Sequence, residues 1–173
     1  MTYYTYVDSP LETLLLTSDG VSLTGLYMVE RRHGPEVEAD RVRDDDAAPF
    51  PAAREQLAAY FEGRLTDFDL PLAMAGTEFQ KRVWEELTRI PYGATITYGE
   101  LARRVGNPNG SRAVGLANGR NPISIVVPCH RVIGTSGKLV GYGGGLSRKE
   151  ALLVLEGALL MASSQWSQAD TDH

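Results

Sequence analysis

Cysteine and histidine are scarce in this chain, and long apolar runs are missing; each shortage removes a class of protein. The single cysteine, Cys129, can form neither an internal disulfide nor a cysteine-rich zinc site. The three histidines, His33, His130 and His173, are too scattered for an evident metal triad, so no metal or cofactor is expected. No run of about eighteen apolar residues is present, which argues against a membrane span. The opening MTYYTYVDSP lacks the basic and apolar regions of a secretion signal. These absences predict a cytoplasmic protein.

Its 173 residues, 43% hydrophobic and 23% charged, suit one compact domain or two small ones. The net charge of -5 hides an asymmetry. Met1 to Gly76 holds 6 basic and 14 acidic residues, whereas Thr77 to Leu160 holds 11 basic and 6 acidic. A basic second half points to a polyanion; a plain excess of surface arginines is the alternative.

Boundaries follow from turn and capping signals. Tyr3–Val7, Leu14–Thr17 and Val21–Tyr27 read as strands, 34–51 as an exposed acidic loop, and Ala52–Gly63 as a helix. Thr77-Glu78-Phe79-Gln80 is a capping box that opens a helix with Phe79, Val83, Trp84, Leu87 and Ile90 on one face. A second such box, Thr97 to Glu100, opens a short helix through Val105. After the break at 106–110, Ser111–Gly119 is helical again, and the pair reads as a helix-turn-helix. Ala113 and Ala117, one turn apart, predict a smooth face beside Arg112: it suits close approach to a surface, or tight packing on a neighbouring helix. Ile123–Val127 reads as a buried strand leading into Cys129, and a final helix runs from Ser147 to about Leu160. The expected domains are 1–76, 77–160 and a polar tail, 161–173.

A lone cysteine is more often a small buried hydrophobe than a nucleophile. Cys129 departs from that default, because Pro128 precedes it, His130 and Arg131 follow, and a glycine-rich loop comes next. Nearby cations favour a thiolate. In the final helix Leu152, Leu153, Leu159 and Leu160 lie within about 60° of Glu156. A carboxylate in an apolar stripe needs a buried partner, either an arginine held for structural reasons or an imidazole in a relay with the cysteine.

The segment Val127-Pro128-Cys129-His130-Arg131-Val132-Ile133 resembles the active-site signature of O6-alkylguanine-DNA alkyltransferases, also called methylated-DNA–protein-cysteine methyltransferases. The match runs from Phe79 to Glu156 and takes in the Tyr98 segment, Ser-Arg-Ala-Val-Gly around Arg112, Gly-Arg-Asn-Pro ending in Asn121-Pro122, and Gly-Tyr-Gly-Gly-Gly-Leu from Gly141. The resemblance implies an α+β fold, with a small N-terminal antiparallel-sheet, RNase H-like domain and a helical C-terminal domain like a winged helix-turn-helix. It implies a partner, duplex DNA bearing O6-alkylguanine, with O4-alkylthymine an alternative lesion, and a protein that is monomeric when free.

Residue roles follow from the same resemblance. Cys129 is the acceptor, His130 the base acting through a water, and Glu156 the carboxylate orienting that imidazole. Tyr98 assists nucleotide rotation and donates to the base, and Asn121 is a hinge before the active-site segment. Arg112, with Ser111, Ala113 and Ala117 on its helix, enters the minor groove and fills the space of a flipped guanine. Val132, Tyr142 and Gly143 line the alkylguanine pocket. Some family members bind zinc through N-terminal cysteines, which this chain lacks. A lesion sensor with an incidental cysteine and a cysteine hydrolase are the rival readings. An extended Cys129-His130 pair, its side chains pointing oppositely, counts against the hydrolase.

Overall fold

The computed structural model describes residues 1–28, 40–134 and 146–159. The chain divides into two units, Met1–Ala75 with Pro122–Ser124, and Gly76–Asn121 with the residues from Ile125 onward.

In the first unit, β1 (Thr2–Val7), β2 (Leu14–Ser18), β3 (Leu23–Met28) and β4 (Arg41–Arg43) form one sheet in the order β3-β2-β1-β4. Strand β2 is central and buried at all five positions, as Leu14, Leu15 and Leu16 require. It pairs antiparallel with β1 from Tyr3↔Ser18 to Val7↔Leu14, and antiparallel with β3. Two expectations change here. Strand β3 starts at Leu23, because Asp19 accepts hydrogen bonds from the Val21 and Ser22 amides and leaves Val21 exposed in the turn. The stretch 34–51, expected as loop, contains β4 and the start of helix α1 (Phe50–Phe61), while 34–39 lie outside the described residues. Strand β4 runs parallel to β1, so the sheet is mixed and not wholly antiparallel. Helix α1 buries Phe50, Ala53, Leu57 and Tyr60 at helical spacing. Pro122–Ser124 joins the edge of β3, where the Leu26 amide donates to the Pro122 carbonyl at 2.8 Å.

The second unit is mainly helical: α2 (Glu78–Leu87), α3 (Tyr98–Arg104), α4 (Ser111–Gly119) and α5 (Leu146–Leu155). The Thr77–Gln80 capping box is complete, with both reciprocal hydrogen bonds present. The second box is half made: the Thr97 hydroxyl accepts from the Glu100 amide, but the Glu100 carboxylate turns to Arg103 and Arg104. Trp84, buried on α2, donates its indole N–H to the Ala117 carbonyl of α4 at 2.8 Å. Of the two alanines expected on one smooth face, Ala113 is exposed and Ala117 is buried against α2, the tight packing that small residues also allow.

Ile123–Val127 is not a strand. Only Ile123 makes a bridge, to Leu26, and the chain then turns at Ile125 with φ 73°. A continuous apolar run marks burial, and burial alone does not separate a strand from a turn buried by its neighbours. Helix α5 also stops short of the expected Leu160. Gly157, at φ 80°, donates to the Val154 carbonyl while Ala158 donates to that of Leu153, which closes the helix in a Schellman turn. Leu160 and the tail lie outside the described residues.

Candidate active site

Within the second unit, strand β5 (Ile96–Thr97) pairs parallel with β6 (Val132–Ile133), Ile96 opposite Val132 and Thr97 opposite Ile133. This short ladder sets Tyr98, which opens α3, beside the chain leaving Cys129. Cys129–Arg131 form a 3-10 turn, not the extended segment expected, so the opposite-pointing argument no longer applies to Cys129 and His130. Cys129, His130 and Arg131 are all buried.

Glu156 stands at the end of α5, anchored from outside. The Tyr92 hydroxyl donates to the Leu155 carbonyl at 3.2 Å. Gly93, at φ 83°, lies so close that an added Cβ would sit 3.2 Å from the Glu156 carbonyl oxygen. The Glu156 carboxylate meets both partners that its burial allowed. Its Oε2 is 2.8 Å from His130 Nε2. Arg131 donates from Nε to Oε1 at 2.8 Å and from Nη2 to Oε2 at 2.9 Å. The remaining Arg131 reach goes to the Ile90 carbonyl at 2.6 Å, and its guanidinium lies 5.8 Å from the Tyr92 ring centroid. The structural arginine and the imidazole relay are thus one cluster. A buried carboxylate is tolerable here because every charge beside it is paired.

Burial holds His130 below its ordinary value near 6.5, opposed by the hydrogen bond and charge of Glu156. With Nε2 committed to Glu156, Nδ1 is buried and has no hydrogen-bond partner among the described residues. A neutral imidazole with a spare nitrogen suits a proton acceptor.

Tyr98 is half-buried, and burial followed by the Cys129 charge pushes its phenol up to about 12, against a hydrogen bond with Asn118. In the free protein it stays protonated across the working range, so its hydroxyl proton is available to donate. Asn118 Nδ2 donates to the Cys129 carbonyl at 3.3 Å. Asn121, 8% exposed, donates from Nδ2 to the Val127 carbonyl at 2.7 Å and so ties the end of α4 to the turn before Cys129.

Reasoning from sequence passed over Lys149. It is fully buried, with Nζ 5.8 Å from the Tyr98 ring centroid. Burial lowers its ammonium to about 8, and the Cys129 charge opposes that shift. The signal was available: Lys149 is seven residues before Glu156, within about 20° of it on the same leucine stripe. Val132 is buried, paired with Ile96 in the short ladder. Ser111, Arg112 and Ala113 are exposed on α4. Tyr142 and Gly143 lie outside the described residues.

Two family models cover nearly the whole chain. Residues 78–158 match the DNA-binding domain of 6-O-methylguanine DNA methyltransferase, and 2–74 match its ribonuclease-like domain. The chain belongs to this family.

A methylated-DNA–protein-cysteine methyltransferase of Mycobacterium bovis is 54% identical over 157 residues, 90% of this chain and 93% of the relative. One from Methanosarcina acetivorans is 52% identical over 156 residues, 90% and 99% of the two chains. Among solved structures, Mycobacterium tuberculosis OGT in complex with DNA superimposes with a TM-score of 0.82 at 52% identity, covering 90% and 93%. The activity of this family member is that of a methylated-DNA–protein-cysteine methyltransferase, and DNA is its partner. Among the described residues no helix is long and apolar enough to cross a membrane.

Proposed function

We propose that this chain repairs alkylated duplex DNA by direct reversal, carrying the alkyl group of O6-alkylguanine to Cys129 once per molecule. The observation that carries the reading is the buried His130–Glu156 pair following directly on Cys129. Displacement at a saturated carbon needs a polarisable nucleophile, and a thiolate is one. His130 takes the thiol proton at Nδ1 through a water, while Glu156 fixes the ring by Nε2. The Cys129 sulfur bonds to the alkyl carbon as the carbon–oxygen bond breaks. The electron pair passes into the guanine ring, and Tyr98 supplies the proton that leaves guanine neutral.

The ammonium of Lys149 supports both ends of this transfer. It favours the thiolate before the step and offsets charge on the Tyr98 oxygen as the proton leaves. The product is a thioether, stable to water, so one protein molecule repairs one lesion. The base is turned out of the stack to reach Cys129, at a cost of about a few kcal/mol. Arg112 enters from the minor groove and fills the vacated space. Asn121 holds the turn that presents Cys129, and Val132 backs the pocket. The protein works in the cytoplasm, monomeric when free.

The test counts lesions. With a duplex carrying one O6-methylguanine, the lesions removed should rise with protein added and stop at one per protein. Removal that continues past one per protein contradicts the reading, as does lesion binding without removal.

A further inference from the structure

Asn118 is a buried amide on α4, 1% exposed, and only one end of it is used. Its Nδ2 donates to the Cys129 carbonyl at 3.3 Å and also hydrogen-bonds the Tyr98 phenol. Its Oδ1 is buried with no hydrogen-bond partner among the described residues. An apolar residue here would leave no acceptor unpaired, so packing alone gives no reason for an amide. The meeting with Tyr98 follows from α4. A Cβ added at Gly115 would sit 3.7 Å from Tyr98 Cδ1, so the ring lies against this helix. Asn118, three residues on, shares that helix face. The Cys129 carbonyl then fixes which way the amide points. Turned over, Oδ1 would meet that carbonyl oxygen and Nδ2 would lose its acceptor. Tyr98 therefore meets a donor, and its own proton points away from Asn118.

We infer that Asn118 is a positioning residue for Tyr98: its Nδ2 donates to the phenol oxygen, turns the hydroxyl proton toward the base, and holds the oxygen once that proton has gone. This rests on the alkyltransferase reading and names the residue that tunes its proton donor. In the transfer step the carbon–oxygen electron pair passes into the guanine ring, the Tyr98 O–H bond breaks, and its proton joins the ring. Negative charge then rests on the Tyr98 oxygen, in surroundings that disfavour it. Burial and the Cys129 charge push the phenol up to about 12, and the Asn118 hydrogen bond opposes them. A hydrogen bond to an ion is about twice as strong as one between neutral groups. The amide thus holds Tyr98 more tightly as the proton leaves than before, and such an interaction raises the rate rather than the affinity.

The experiment follows single-turnover transfer against DNA concentration, on a duplex with one O6-methylguanine, for wild type, Asn118→Ala, Tyr98→Phe and the double variant. Without Asn118 the Cys129 carbonyl keeps the Val132 amide, so the turn is retained. Asn118→Leu, which fills the space, runs the same cycle should the alanine variant unfold. Asn118→Ala should lower the plateau rate about ten-fold and leave the half-saturating DNA concentration unchanged. Tyr98→Phe removes only the hydroxyl that Asn118 meets. In that background the loss of Asn118 should slow transfer by less than about two-fold, so the two changes are strongly non-additive. An equal loss in both backgrounds overturns the inference and assigns the amide to the Cys129 carbonyl alone. So does an unchanged plateau rate in Asn118→Ala. Wild type that binds the duplex but transfers no methyl group overturns the alkyltransferase reading instead.

Discussion

His130 Nε2 and Glu156 Oε2 lie 2.8 Å apart with both side chains fully buried, and Arg131 grips the same carboxylate through two further hydrogen bonds. One carboxylate thus meets the imidazole next to Cys129 and neutralises a largely buried guanidinium.

Changes at Glu156 should separate these two tasks. Glu156→Ala leaves the Arg131 guanidinium buried without its counter-charge, and breaking a buried pair this way costs about 3–5 kcal/mol. Glu156→Gln keeps the shape and an acceptor oxygen. It should fold with a smaller loss, visible in denaturant titration, and should still slow methyl transfer by about ten-fold or more. A Glu156→Gln protein that transfers at the wild-type rate would show that the carboxylate serves structure alone.

Asn121 offers a local test of the turn. Asn121→Ala removes the 2.7 Å hydrogen bond to the Val127 carbonyl and leaves that oxygen with the Cys129 amide alone, a loss of about 0.5–1.5 kcal/mol. The turn before Cys129 should loosen, so the transfer rate should fall while duplex binding stays near wild type. Paired measurements of binding and single-turnover rate read the two effects separately.

Lys149 should trade stability against reactivity. Its ammonium is lowered to about 8 by burial, so at pH 7 the folded protein carries a charge that its surroundings disfavour. Lys149→Met fills similar space and removes the desolvated charge together with the contacts of the ammonium, so the melting temperature at pH 7 should change little. Transfer should slow, because the thiolate loses its buried cation. Between about pH 8 and 10.5 the unfolded wild-type chain keeps a proton that the folded protein has released. Wild-type stability therefore rises with pH across that window, and this rise should vanish in Lys149→Met.

His130 sets the acid side. Its folded pKa is held below 6.5 by burial, so as pH falls below 6.5 the unfolded chain takes up a proton that the folded protein refuses. Its contribution leaves stability intact above about 6.5 and erodes it as pH drops toward the lowered value. Removing His130 should flatten this part of the stability profile. The same shift keeps the imidazole neutral below pH 6.5, so transfer should persist there and fail only as His130 protonates. Melting curves and transfer rates over the same pH series measure both limits.

Much of this was legible because the signals are local. Thr77 and Gln80 form their capping box within four residues, whereas the end of α5 was read too late, because the leucine periodicity runs on past the Gly157 turn that closes the helix. Glu156 could be read as paired because a carboxylate in a leucine stripe has few alternatives. What was misread depends on distant neighbours. Ile125 has the composition of a strand and sits in a turn at positive φ. Arg41–Arg43 has no apolar pattern, and becomes a strand by pairing with β1. Ala117 is small enough for a close surface approach, and the Trp84 indole that bonds its carbonyl comes from 33 residues away. Lys149 was passed over because a lysine near a helix start reads as solvated, although its angle on α5 places it with Glu156.

The central claim is that Cys129 keeps the alkyl group, and the most direct measurement is the mass of the peptide that contains it. After incubation with a duplex carrying O6-methylguanine, that peptide should gain one methyl group, located on Cys129, in step with loss of the lesion. The intact Cys129→Ser protein should gain no mass and leave the lesion in place. A lesion lost while the Cys129 peptide keeps its original mass, or a methyl group found on another residue, would contradict the account.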